Sequence, residues 1–201
     1  MYDRGTLGHR FKLLLSLPPL ITNKDNIMIN GSKPLAHPIR WSMVGGGSLS
    51  QIGYSHRSAA LRDHCFTLVA GAFDLDTQRG RTFGAQLGVN PDRCYPDYLS
   101  LFEEEARRAD GIQAVTVATP NGTHFAITKA ALEAGLHVVC EKPLCFTVQQ
   151  AHHLRDLARE RRRVVGLAYG YAGHQMICIC ASRWPWTPQT GVWARPCPIP
   201  T

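Results

Sequence analysis

A glycine-rich segment follows the first apolar run of the chain and consists of Gly45, Gly46, Gly47, Ser48, Leu49 and Ser50. In the G-x-G-x-x-G fingerprint, the first glycine permits a tight turn, the second lets the backbone approach a pyrophosphate, and the third allows close helix packing. Gly45 and Gly47 match the first two positions, and the small Ser50 takes the third. We therefore expect this segment to bind a pyrophosphate at the start of a helix, whose free N–H groups attract anions.

Two acids, Asp74 and Asp76, end the second apolar run, roughly 20 residues beyond the glycine segment. An acid at this place accepts a hydrogen bond from an adenosine ribose 2′-hydroxyl and repels a 2′-phosphate. We assign Asp74 to the ribose and Asp76 to the cap of the next helix; the alternative is that either acid serves as a cap alone. Arg79 and Arg81 stand nearby and would tolerate a phosphate. The cofactor is thus NAD or NADP, with NAD favoured.

Two further strings carry a family resemblance: ATPNGTH at 118–124 and AGLHVVCEKPL at 134–144. Together with VGGG at 44–47, they resemble the Gfo/Idh/MocA family, which includes glucose–fructose oxidoreductase and inositol dehydrogenase. The resemblance covers about residues 38–177. It implies a Rossmann domain, a nicotinamide cofactor, and hydride transfer at a carbinol carbon of a sugar or polyol substrate.

The resemblance also implies roles for individual residues. Thr119, Pro120 and Asn121 would lie along the cofactor near its nicotinamide end, and Glu141 would hold ribose hydroxyls. Lys142 would lie between nicotinamide and substrate as the catalytic residue. An ammonium there attracts the substrate oxygen and stabilises developing alkoxide charge, and a desolvated lysine also moves a proton.

Other polar residues near these strings have plainer interpretations. Without the resemblance, Glu141 and Lys142 would be a surface pair. We interpret His124 as a helix-face histidine rather than a catalytic one, and we place Tyr169 and His174 beside the nicotinamide. No cysteine or histidine spacing fits a zinc template, so we expect no metal.

Short apolar runs alternate with amphipathic patterns through the middle of the chain, which predicts parallel βαβ units. Such strands are buried on both faces and read as continuous apolar runs. Because the crossovers are right-handed, we expect an α/β fold with a doubly wound parallel sheet. Six strands are predicted, at 40–45, 65–73, 93–95, 112–118, 136–140 and 163–169. Helices are predicted at 51–62, 77–87, 99–108, from 121 to Gly135, and from 147 onward.

Several helix details follow from capping rules and periodicity. We expect Asn121 to cap the fourth helix, and Thr147 with Gln150 to form a capping box for the fifth. Val148 is expected to face inward. The glutamates at 103–105 are expected on the solvent face of the third helix.

The two ends differ from the middle, and we divide the chain into three parts. Residues 1–38 form an irregular extension, 39–177 the dinucleotide-binding domain, and 178–201 an atypical tail rich in Trp and Pro. Proline at that density is incompatible with a helix or a central strand. The family's second, α+β domain has no counterpart here, so we expect a truncated protein without its substrate domain and with an undetermined oligomeric state.

Composition limits the remaining function classes. The net charge is +7, yet the basic residues are scattered, so we expect no nucleic-acid partner. No apolar run is long enough for a membrane span. Seven cysteines without a pairing pattern indicate a reducing compartment, and we predict a cytoplasmic location. Three hypotheses stand: a sugar or polyol oxidoreductase, an inactive NAD(P)-binding fragment, and a basic adaptor that uses the Trp/Pro tail.

Overall fold

Five parallel strands and the helices between them make up most of the computed structural model, which describes residues 37–62, 64–174, 186–187 and 192–193. The sheet strands are β1 Ile39–Gly45, β2 Phe66–Ala72, β3 Ala114–Ala118, β4 His137–Glu141 and β5 Val165–Ala168. The helices are α1 Gln51–Leu61, α2 Thr77–Gln86, α3 Tyr98–Ala106, α4 His124–Glu133 and α5 Val148–Glu160. Three short 3₁₀ helices lie at Pro91–Arg93, Asn121–Thr123 and Gly170–Gly173.

The strand order is β2-β1-β3-β4-β5, and every neighbouring pair is parallel. The order reverses between β1 and β3: the chain first adds β2 on one side of β1 and then adds β3, β4 and β5 on the other. A crevice opens at the carboxyl ends of the strands where the order of such a sheet reverses. The expected doubly wound, Rossmann-like sheet is confirmed.

Alternate residues of one strand belong to different cores, as the two-residue period of a strand requires. On β3, Val115 and Val117 join a cluster with α3, α4 and α5, whereas Ala114 and Ala118 join Trp41 and the second cluster. The sheet therefore packs against an apolar core on each face. This packing holds the carboxyl ends of the strands in place.

The strand predicted at 93–95 is wrong, and the sheet has five strands rather than six. Cys94 makes a single parallel bridge to Gly71, and the Tyr95 N–H donates to the Gly71 carbonyl at 2.8 Å. A 3₁₀ turn precedes the bridge, and Pro96 follows it. Because proline has no N–H for a ladder, pairing stops after one contact at the outer edge of β2.

Three helix details also differ from expectation. Asn121 makes no capping bond: it starts a 3₁₀ turn that the Thr123 N–H closes on the Pro120 carbonyl at 3.0 Å. Val148 is exposed at the first position of α5. Glu105 is buried, because it turns inward to Arg93 and Tyr95.

The predicted cap at Thr147 is confirmed in part. Its hydroxyl accepts a hydrogen bond from the Gln150 N–H at 3.2 Å. The Gln150 side chain returns instead to the N–H of Phe146, at 3.1 Å, one residue before the cap. In a capping box this side chain would accept from the N–H of the capping residue itself, so the second hydrogen bond is shifted by one residue.

The predicted extension 1–38 and tail 178–201 lie almost entirely outside the described residues. In the tail, two short strands are described, β6 Trp186–Thr187 and β7 Val192–Trp193, and they pair antiparallel.

Candidate dinucleotide site

The glycine segment forms a tight turn at the carboxyl end of β1. Gly45 and Gly46 have φ values of +76° and +69°, which side chains rarely adopt. A Cβ at Gly45 would lie 2.6 Å from the Ala118 carbonyl oxygen, and one at Gly47 would lie 2.8 Å from that of Phe73. The turn is therefore pressed against the ends of both β3 and β2.

Helix α1 begins directly behind this turn. Ser50 is its N-cap, and the Ser50 hydroxyl accepts a hydrogen bond from the Gly53 N–H at 3.0 Å. Among the described residues, the backbone N–H groups of Ser48 and Leu49 have no recorded partner. Free N–H groups at a helix start, without side chains in the way, are the usual arrangement for binding a phosphate.

Close packing of α1 on the turn depends on Gly53, which the sequence analysis did not single out. A Cβ at Gly53 would lie 2.3 Å from the Gly46 carbonyl oxygen and 2.5 Å from its Cα. In the fingerprint, the third glycine allows close packing of the helix. In this chain Gly53 makes that contact, three residues after Ser50. A glycine inside a helix, which costs about 1 kcal/mol relative to alanine, could have drawn attention to it.

Asp74 lies just past the end of β2, next to the turn. Its Oδ1 accepts hydrogen bonds from the Asp76 N–H at 2.9 Å and from the Arg79 guanidinium at 2.8 Å. The Arg79 hydrogen bond holds the pKa of Asp74 below its usual value, so this carboxylate is charged at neutral pH. Asp76 caps α2 by accepting from the Arg79 N–H, as predicted.

A cavity of about 410 Å³ opens at the reversal point of the sheet. The ends of three neighbouring strands line it, and its walls include Gly45, Gly46, Asp74, Thr119, Pro120 and Thr123. The structure thus brings the glycine turn, the acid and the start of the ATPNGTH string together around one crevice. Asn121 is exposed and is not among its lining residues.

Glu141 and Lys142 line a second, larger cleft of about 950 Å³, together with α1 and residues after β5, Tyr169 among them. Glu141 is buried, and its Oε1 lies 2.9 Å from Nε2 of His56. Its Oε2 accepts from the Lys142 N–H at 3.2 Å. His56 was missed, because nothing in the sequence links residues that far apart.

His124 lies where the two motif strings meet and is fully buried, not on an outer helix face. Its Nε2 is 2.8 Å from the Thr119 carbonyl oxygen, and its Nδ1 is 2.7 Å from that of Pro143. One imidazole therefore connects the end of β3 with the segment after Lys142.

Among the described residues, no group of three or more His, Cys, Asp or Glu side chains is arranged to hold a metal ion. Of the helices in the same residues, none has the length and apolar character to cross a membrane.

The chain matches one known protein family over most of the described residues. The Gfo/Idh/MocA model, described as an oxidoreductase family with an NAD-binding Rossmann fold, matches residues 39–169. The chain belongs to this family. The resemblance noted from the VGGG, ATPNGTH and EKPL strings is thereby confirmed.

Individual relatives agree with this membership. The uncharacterized oxidoreductase YfiI of Bacillus subtilis is 55% identical over 152 residues, which are 75% of this chain and 39% of that protein. Inositol 2-dehydrogenase 1 of Saccharopolyspora erythraea is 39% identical over 118 residues, covering 53% of this chain and 33% of that protein.

Solved structures show the same relation. An inositol dehydrogenase homolog from Azotobacter vinelandii, complexed with NAD⁺, is 75% identical with a TM-score of 0.72, and the match covers 74% of this chain and 38% of that one. The chain therefore spans about two fifths of the length of YfiI and of this homolog.

Proposed function

We propose that this chain is the dinucleotide-binding part of an NAD-dependent oxidoreductase that acts on a carbinol of a sugar or polyol. The observation that carries the proposal is the crevice at the β1–β3 reversal point. There Gly45 and Gly46 of the glycine turn lie together with Asp74, and the turn continues into the free N–H groups of Ser48 and Leu49. A dinucleotide offers the matching groups: a pyrophosphate for the turn and a ribose diol for the acid.

The preference for NAD over NADP rests on Asp74. Its Oδ1 is occupied by Asp76 and Arg79, while its Oδ2 lies on the side of Gly47, 3.7 Å from where a Cβ would be. A charged carboxylate with a free oxygen accepts from a 2′-hydroxyl and repels a 2′-phosphate. Arg79 is already paired with Asp74, which leaves it less available to a phosphate.

The chemical step would take place at the second cleft. Oxidation of a carbinol moves a hydride from carbon to the bound nicotinamide and releases the hydroxyl proton. In this proposal Lys142 holds the substrate oxygen and accepts that proton. Glu141 would hold the nicotinamide ribose through the acceptor capacity that its contacts with His56 and Lys142 leave. Relatives named as inositol and levoglucosan dehydrogenases support the substrate class.

We propose cofactor binding as the role of this chain, whose match covers about two fifths of the length of YfiI and of the Azotobacter vinelandii homolog. We also propose a cytoplasmic location, in keeping with the free thiols of Cys94, Cys140 and Cys145.

Calorimetric titration of the 201-residue chain with NADH and with NADPH tests the binding proposal. We expect NADH to bind more tightly than NADPH. NADH formation by the same preparation from NAD⁺ and myo-inositol or another polyol or sugar would support the substrate class. Absence of binding to either dinucleotide would overturn the proposed function.

A further inference from the structure

Arg57 is a buried arginine directly behind the glycine turn. It lies on α1, is 9% exposed, and donates from Nη1 to the Gly46 carbonyl oxygen at 2.6 Å. Its other recorded contacts are Met43 Sδ at 4.0 Å and the face of the Phe83 ring, 4.9 Å from the guanidinium carbon. None of these partners carries a negative charge.

The other buried arginine shows what such a group ordinarily requires. Arg93 is 7% exposed and forms ion pairs with both Glu105 and Asp110. Within the part of the chain that the structure describes, Arg57 joins no ion pair. Burial without a compensating anion is unfavourable, since the low-dielectric interior weakens the hydration of a charge. Burial accordingly lowers the pKa of Arg57.

We propose that Arg57 is a positioning residue for the dinucleotide pyrophosphate. It holds the Gly46 carbonyl and places a positive charge beneath the turn, and the diphosphate of the ligand is the anion that compensates this charge. The proposal rests on the proposed function, because it concerns the same turn.

The surroundings of Arg57 favour an electrostatic role over a purely structural one. The Arg57 charge is surrounded by Met43, Phe83 and backbone, so solvent screens it poorly. It therefore attracts an anion bound at the glycine turn more strongly than a surface charge at the same distance would. The turn that Arg57 contacts consists of Gly45, Gly46 and Gly47, which carry no side chains. The partly positive start of α1 adds to the same field.

The test compares ligands that differ in phosphate charge. Arg57→Gln leaves a polar side chain but removes the charge, whereas Arg57→Lys keeps the charge. Affinities of the full chain for NADH, ADP-ribose and adenosine are measured by calorimetry or by competition against NADH. We expect Arg57→Gln to weaken NADH and ADP-ribose about tenfold and adenosine less than about twofold, with Arg57→Lys within about threefold of the unmodified chain throughout. Arg62→Gln, at the exposed end of the same helix, is the matched control for net charge.

Each outcome bears on the proposal. Equal weakening of ADP-ribose and adenosine by Arg57→Gln, or a lysine variant as weak as the glutamine one, would show a structural role and overturn it. Should Arg57→Gln fail to fold, the lysine variant decides: ADP-ribose affinity within about threefold supports the proposal, and a loss beyond about tenfold contradicts it. If the unmodified chain binds neither NADH nor ADP-ribose, it is the proposed function that fails.

Discussion

The outer edge of the sheet and the rim at the glycine turn both hold charged and polar groups, but they use them differently. At the outer edge, Arg93 pairs with Glu105 and Asp110, and the Tyr95 hydroxyl donates to Glu105. Burial and this hydrogen bond raise the pKa of Tyr95 to about 12. At the rim, two backbone N–H groups and one oxygen of Asp74 have no recorded protein partner among the described residues. Groups at the edge are satisfied by the protein itself, whereas groups at the rim are left available for a ligand.

The difference implies that stability and cofactor binding are separable. Substitutions at the edge should lower the free energy of unfolding without changing the site. Substitutions at the rim should change dinucleotide affinity more than stability.

The largest expected effect is that of Arg93→Met at the edge. It leaves the carboxylate of Glu105, which is 2% exposed, buried with only Tyr95 and the Ile112 N–H as partners. We expect a loss of about 3–5 kcal/mol in the free energy of unfolding, measured by urea denaturation. NADH affinity of the fraction that stays folded should be unchanged.

Arg107→Met is the control for Arg93→Met. Arg107 pairs with Glu103 and Glu104 on the exposed surface of the same region, so its removal should cost no more than about 1 kcal/mol. Equal losses for the two variants would contradict the comparison.

Gly53→Ala tests the contact between α1 and the glycine turn. An alanine in a helix is ordinarily favourable, but this Cβ would overlap backbone atoms of Gly46. We expect destabilisation by about 1–3 kcal/mol together with weaker NADH binding. Gly80→Ala is the control, since its Cβ would meet Asp74 N at an ordinary 3.4 Å and should not destabilise α2. A Gly53→Ala chain as stable as the unmodified one would refute the packing role.

Asp74→Asn should separate binding from stability most clearly. The amide keeps an acceptor for the Asp76 N–H but loses the charge, so NADH affinity should fall about tenfold while NADPH affinity rises. The exposed pair with Arg79 contributes little to folding. Asp76→Asn, which still caps α2, should leave the NADH to NADPH ratio unchanged. A ratio that moves equally in both variants would argue against the ribose assignment.

The smallest expected effect lies at His137, at the opposite end of the sheet, where Nδ1 accepts from the Val164 N–H at 3.0 Å. Burial, with the charge of Arg163, lowers the pKa of His137 from its usual 6.5. The unfolded chain therefore binds the proton more readily, and the stability that neutral His137 contributes above pH 6.5 is lost as the pH falls through its folded pKa.

His137→Asn retains an acceptor for Val164 but does not titrate. Between pH 7 and pH 5 the unmodified chain should lose more stability than the variant, by less than about 1 kcal/mol after solvent screening. NADH affinity at pH 7 should be the same for both. Parallel stability curves would show that His137 has no part in the pH dependence.

The sequence predicted the strands of the sheet to within about two residues, because buried parallel strands are short apolar runs with glycine or acids at their ends. The predictions for Glu105 and Asn121 were wrong, because the positions of both residues depend on their tertiary surroundings. Glu105 follows two exposed glutamates on the same helix, and only the position of Arg93 draws it inward. Asparagine is a common helix cap, but the chain after β3 enters a 3₁₀ turn at Asn121, and this turn is closed by a backbone hydrogen bond.

By itself, the sequence determined the family and the order of the helices and sheet strands, since these depend on local composition and on motif strings. The tertiary structure decided which residues meet: His56 with Glu141, His124 with the carbonyls of Thr119 and Pro143, and Arg57 with Gly46. The physical reason is that no repeating pattern in the sequence links these residues. They come within contact distance only after the sheet has aligned the carboxyl ends of its strands.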